Sequence, residues 1–451
     1  MIRNLSLIFT AGFLLFTAPA VYGAPQQGAA GENSKFQSWI GQETATGDWG
    51  GARSKLEGRG FTVSSNYTAD IGGNPTGGLK QIAVYSSFLD LALAMDFEKI
   101  ASIKGLALTI SSFLASGRNL SALIGNFYGV QEIYAPGNYY FGQLDLSLSV
   151  LDDTWTFEAG RLFAGDVFAT SPLWQYYLTS GVNNNLNSMP ANIFFPAFQV
   201  TSWATRVTYQ PNKDWHIIAG IYDANPKVSK INNQGADFSF EMDSGYLAIG
   251  QLTYKHGHNP KENGLPGSFC FGSYYESSKF QDLANPGKTW RGNYGFYLIC
   301  DQMIYRGDWP EFTGPSHMKS EASQAERTRN PYHPQTAISA DRPKGLTVWG
   351  GAYLAPQEHT NTQTYQLAAG LVYQGLPPNR DLDVTAFGIV MGHFSDLLDG
   401  QGIETVLEFN HRFQLGPWCY FTPDIQYIIH PNGQTNIDDA LVLGMELSFN
   451  F

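Results

Sequence analysis

The chain has 451 residues, with Lys+Arg 27 against Asp+Glu 39 and a formal net charge of -12. Charged residues are 15% and aromatics 14%, yet mean hydropathy is only -0.20, so the chain lacks the roughly 25% charge of a globular protein without being hydrophobic. Aromatic content excludes disorder, the lack of any apolar run of about 18 residues excludes a helical membrane protein, and a pI ≈ 5.2 disfavours nucleic acid as a partner.

Residues 1–23 read as a secretory signal peptide. Arg3 precedes the apolar run from Leu5 to Phe16, and Val21 and Gly23 are small residues ahead of a cleavage site. Residues 24–61 read as an N-terminal periplasmic segment. Within it Ala52 to Glu57 forms a short helix, stopped by Gly58 or Gly60.

From residue 62 to the C-terminus the pattern changes to alternation. In 89–98, Leu89, Leu91, Leu93, Met95 and Phe97 oppose Asp90, Ala92, Ala94, Asp96 and Glu98. In 143–150, four aliphatics oppose Gln143, Asp145, Ser147 and Ser149. In 440–451 every odd position is large and apolar, and the chain ends on Phe451. A period of two marks strands with one apolar face. Sixteen such segments occur, at 62–71, 83–98, 105–116, 139–150, 154–164, 201–210, 214–223, 244–255, 266–277, 290–305, 345–355, 364–374, 381–393, 404–414, 418–428 and 440–451. Short turn-rich links alternate with long ones at 117–138, 165–200 and 224–243. The segment 306–344 breaks this rhythm and reads as a long loop insertion.

The expected fold is therefore all-β: a transmembrane antiparallel β-barrel of sixteen strands over 62–451, with a short N-terminal helical segment. A sheet in hydrocarbon must close to pair its backbone groups. Its outer face must be uncharged, and its inner face is free to be polar. Sixteen strands leave an aqueous channel. Cys270 and Cys300 flank a predicted hairpin loop. They either pair, which requires a specific register, or remain isolated thiols.

Enzyme motifs are missing. Gly287-Lys288-Thr289 lacks the upstream glycine of a phosphate loop, Asp282 standing there. Glu404 and Glu408 lie about 13 Å apart along one strand face, too far for a glycosidase pair. His256-Gly257-His258 sits in a polar turn rather than a metal site. No catalytic residue, metal or cofactor is expected.

Thr46-Gly47-Asp48-Trp49-Gly50-Gly51-Ala52-Arg53 with Leu56 and Gly60 resembles the N-terminal signature of carbohydrate-selective outer-membrane porins. Near the other end, Glu404-Thr405-Val406-Leu407-Glu408 and Pro423 to Ile428, then Pro431-Asn432-Gly433, are similar to the last strands and loops of that family. Gly160-Arg161 followed by Phe168 is a weaker match. The resemblance implies a monomeric barrel in the bacterial outer membrane, contacting lipid outside and passing glucose and similar small neutral sugars inside. Arg161 is nominated for the constriction by the resemblance alone, because its parity is that of Trp155 and Phe157.

A sugar path needs hydrogen-bonding groups, a flat apolar ring and weak binding. Inward parity nominates Asp70, Asp90, Arg206, Glu404, Glu408, Asp424 and Gln426. The aromatic loop 165–200 is expected to fold into the lumen, with Trp174 as its sugar contact. The alternatives are a general or aromatic-compound diffusion porin without a sugar site, and a barrel serving as a surface enzyme or adhesion module.

Overall fold

The computed structural model describes residues 32–241, 243–258, 264–307 and 344–451. The expected signal peptide, and all but the ends of the expected insertion at 306–344, lie outside them.

Two short helices come first, α1 (Glu32–Ile40) and α2 (Ala52–Gly58). Asp48 organises the start of α2, its Oδ1 accepting the Ser54 hydroxyl at 2.7 Å and the Ser54 N–H at 2.8 Å. Those two bonds hold the Asp48 carboxyl below the ordinary carboxylate range. Beyond α2, Gly60 has φ +91°, and a Cβ there would lie 2.7 Å from the Asp96 carbonyl. Only glycine fits that turn. The N-terminal segment runs along the barrel rim. The Ala45 N–H donates to the Asn450 carbonyl at 2.8 Å, and Trp39 packs on Trp418 with ring centroids 4.5 Å apart.

The strands are β1 (Phe61–Thr76), β2 (Ala83–Asp96), β3 (Leu106–Gly117), β4 (Tyr139–Val150), β5 (Trp155–Leu162), β6 (Ser202–Tyr209), β7 (Trp215–Asp223) and β8 (Tyr246–His256). They continue as β9 (Gly267–Gln281), β10 (Thr289–Arg306), β11 (Gly345–Leu354), β12 (Gln363–Gln374), β13 (Val384–Phe394), β14 (Ile403–Gly416), β15 (Cys419–Ile429) and β16 (Ala440–Asn450). Each pairs with its sequence neighbours, and β1 pairs antiparallel with β16 to close the barrel. The closing register sets Tyr67 opposite Phe449 and Asp70 opposite Glu446. A slip of one residue would turn every such pair to the wrong face.

The two faces invert the rule for water-soluble proteins. Phe271 is 52% exposed and Phe409 49%, while Asp424 is 4% and Glu404 0%. That is a wall facing hydrocarbon outside and polar groups inside. At the end carrying the termini, Trp155 stacks with Tyr209 at 4.3 Å, and Trp215 meets Tyr254 at 4.8 Å. At the far end Tyr246 lies 6.4 Å from Tyr275. Amphipathic rings at both rims are the girdles of an interfacial belt.

Cys270 faces inward opposite Ile299, which leaves Cys300 on the outer face. Both are free thiols, because neighbouring residues across this register point to opposite sides of the sheet.

Candidate functional site

The inner wall is buried because two long links from the far end fold into the lumen. They are the β3–β4 link (118–138) and the β5–β6 link (163–201). The second builds an apolar core inside the barrel. Phe168, Leu173, Trp174, Tyr177, Val182 and Leu186 pack with wall residues such as Tyr222, Trp349 and Tyr353. A loop so rich in rings is stable only where those rings leave water.

Polar wall groups receive the backbone of these links. Glu404 accepts the N–H groups of Phe127 and Tyr128, each at 2.7 Å, and also that of Asn432. Four residues along β14, Glu408 accepts the N–H groups of Leu178 and Thr179, each at 2.8 Å. The strand spacing of about 13 Å lets one strand grip two different links. Gln426 donates to the Val130 carbonyl at 2.9 Å. Glu276 accepts from the Phe194 N–H at 2.7 Å, and Gln366 from the Ser188 N–H at 2.9 Å. Each bond satisfies a main-chain group that would otherwise be buried unpaired.

Several expected site residues therefore have another place. Glu404, Glu408 and Gln426 face inward as their parity requires, but they hold loops. Trp174 is fully buried, its ring 5.7 Å from that of Trp349, so it offers no surface to a passing molecule. Arg161 does not enter the lumen. It keeps the outward parity of β5, opposite Leu144 and Trp203. The β7–β8 link covers it there. Its guanidinium donates to the Thr201 carbonyl at 2.8 Å and to the Asp237 carbonyl, and lies 5.3 Å from the Phe238 ring centroid. Arg206 does face inward, paired with Glu158 through both carboxylate oxygens and donating to the Phe163 carbonyl at 3.1 Å. Asp70, Asp90 and Asp424 face inward and are buried.

Sequence parity did not single out Arg412 or Tyr176. The Arg412 guanidinium lies 4.0 Å from the Tyr420 ring and 5.0 Å from that of Tyr176, and it donates to the Gln175 carbonyl at 2.6 Å. Tyr176 remains half-buried on the infolded link. Arg412 had a signal, sharing the inward parity of Glu404 and Glu408. Tyr176 had none, since loop residues carry no periodicity. Elsewhere on the links, burial pushes the Glu132 carboxyl up to about 8. The Ser239 hydroxyl and N–H hold Asp237 below the ordinary range.

A family model described as "Carbohydrate-selective porin, OprB family" matches residues 80–451. The chain belongs to that family. This porin is 23% identical over 448 residues to Porin B of Pseudomonas aeruginosa, covering 90% of each chain. Its fold is similar to the high-pH structure of Pseudomonas putida OprB, with a TM-score of 0.77, 23% identity, and coverage of 91% of this chain and 99% of that one. The low-pH structure of the same protein gives a TM-score of 0.57 at 20% identity. The porin is a β-barrel of the bacterial outer membrane.

Proposed function

We propose that this porin passes glucose and similar small neutral sugars by passive diffusion. The sugars pause at a weak site where the 163–201 link narrows the lumen. The observation that carries the reading is the half-buried Tyr176 ring, set on the inward guanidinium of Arg412 within a wall of polar side chains. A pyranose has hydroxyls around its edge and an apolar face. A ring beside fixed donors and acceptors suits both. Millimolar binding requires only about 4 kcal/mol, within reach of a few hydrogen bonds at about 0.5–1.5 kcal/mol each. Asp70, Asp90, Asp424 and Arg206 complete the polar wall. In this reading the mature chain starts after residue 23, its N-terminal segment lies on the periplasmic side, and the barrel is a monomer in lipid.

Planar-bilayer conductance with added glucose tests the proposal. Dose-dependent block is expected. Conductance indifferent to every sugar tested would remove the sugar site and leave a general diffusion channel. Tyr176→Ala should weaken the block about fivefold, the equivalent of about 1 kcal/mol. An unchanged block would take Tyr176 out of the path.

A further inference from the structure

We propose that α1 is a lipid anchor, an interfacial helix whose rings enter the phospholipid headgroup layer and hold the N-terminal segment on the barrel rim. That the layer belongs to the periplasmic leaflet rests on the orientation in the reading above; contact with lipid does not. The helix has nine residues, and one of that length is marginal by itself in water. Its stability must come from what its apolar face touches. Phe36, Trp39 and Ile40 share that face by their spacing. The Phe36 and Trp39 rings lie 6.0 Å apart, yet Phe36 is 56% exposed and Trp39 41%. Together they form an apolar patch that the rest of the chain leaves open.

Continuity with the lipid-facing wall names the occupant. From Trp39 the rings run to Trp418 at 4.5 Å and on to Phe449 at 6.1 Å. Phe449 is on the outer face, since its neighbour Ser448 points inward, its hydroxyl 3.0 Å from that of Thr68. Trp418 stands just before β15, as Trp155 and Trp215 stand at the starts of β5 and β7. It is therefore level with the girdle at the end carrying the termini. Cys419 has the outward parity of Phe449, its partner across the ladder, but is only 4% exposed. The end of α1 lies over that spot. A Cβ on Gly416 would be 2.9 Å from the Ile40 carbonyl and 3.7 Å from Cys419 Sγ, and the Trp418 indole N–H donates to the Trp39 carbonyl at 3.3 Å. The helix is thus docked on the outside of the wall at girdle height, not beneath the mouth of the lumen. The Trp39 N–H already donates to the Ala45 carbonyl at 2.9 Å, so the ring can enter the layer without an unpaired polar group. Helices that lie on membranes bind through such rings. A protein partner would have to displace the lipid that the girdle places beside them.

The test uses the purified porin in nanodiscs, labelled with fluorinated tryptophan, with the Trp39 fluorine signal assigned by Trp39→Phe. A phospholipid spin-labelled near its headgroup should broaden that signal several-fold more than a water-soluble gadolinium chelate does. The reverse order overturns the proposal. A photoreactive benzoylphenylalanine in place of Phe36 should cross-link to phospholipid. A cross-link to a second porin or to another protein assigns the face to that partner and overturns the anchor. Phe36→Ser removes ring contact with lipid while leaving the Trp39–Trp418 packing in place. It should speed tryptic cleavage of the N-terminal segment in nanodiscs by about threefold or more, whereas Phe36→Leu should stay near wild type. Equal rates in all three proteins overturn the proposal, with heat-shifted gel migration reporting the folded barrel. Cleavage of the segment by trypsin added to intact cells would overturn the periplasmic leaflet and keep the lipid anchor, so the two failures are distinguishable.

Discussion

The 163–201 link and the β7–β8 link are both long, and both leave the same end of the barrel. One folds into the lumen and the other lies against the outside of the wall. The inward link carries an apolar core and lands on Glu408, Glu276 and Gln366, which take its N–H groups. The outward link carries Asp237 and Phe238 and covers Arg161, the guanidinium on the wrong face for a lipid-exposed wall. A lipid-facing Arg costs about 2–4 kcal/mol at mid-depth and less toward the interfaces, and loop carbonyls lower that cost for Arg161, which stands one residue from the end of β5. The destination of each link is thus set by the wall group that needs it.

The largest expected break is Glu408→Ala. It strands the N–H groups of Leu178 and Thr179, at about 1–3 kcal/mol each. The inward link should loosen, and single-channel conductance should rise several-fold. Conductance equal to wild type would mean that the apolar core alone holds the link. Trp174→Ala should cost about 3–5 kcal/mol, read as a lower thermal unfolding temperature. Loss of glucose block with unaltered stability would instead restore Trp174 as a sugar contact.

Arg161→Ala addresses the other side of the comparison. It removes charged hydrogen bonds worth about 1.5–3 kcal/mol and should expose residues 224–241 to protease. Conductance should not change, and a change would place Arg161 in the ion path after all. The smallest effect concerns pH. Glu132 on the 118–138 link has its carboxyl pushed up by burial to about 8, so the folded link prefers the protonated form. The destabilisation begins above the ordinary carboxylate range and is complete once pH exceeds about 8. Channel noise should therefore grow as pH rises through that window, and Glu132→Gln should remove the dependence. Identical pH profiles for the two proteins would exclude Glu132 as the source.

Strand positions were legible because the membrane imposes a period of two on every segment, and each expected strand overlaps an observed one. Parity also placed Asp70, Glu404, Glu408 and Asp424 on the inner face. It raised the correct objection to Arg161, whose neighbours Trp155 and Phe157 are outward. The roles of these residues were not legible. A Glu facing a channel and a Glu gripping a loop present the same alternation, and the difference lies in partners 276 and 230 residues away in the chain.

By itself, then, the sequence determined the barrel, its strand number, the sign of each face and the compartment. Those follow from local alternation and the backbone's need for hydrogen bonds in lipid. Only the tertiary structure decided which long link fills the lumen, that Trp174 is core, that Arg161 lies behind the wall, and that Tyr176 stays half-buried beside Arg412. Such outcomes depend on long-range pairing of unpaired main-chain groups with wall side chains, which no local period records.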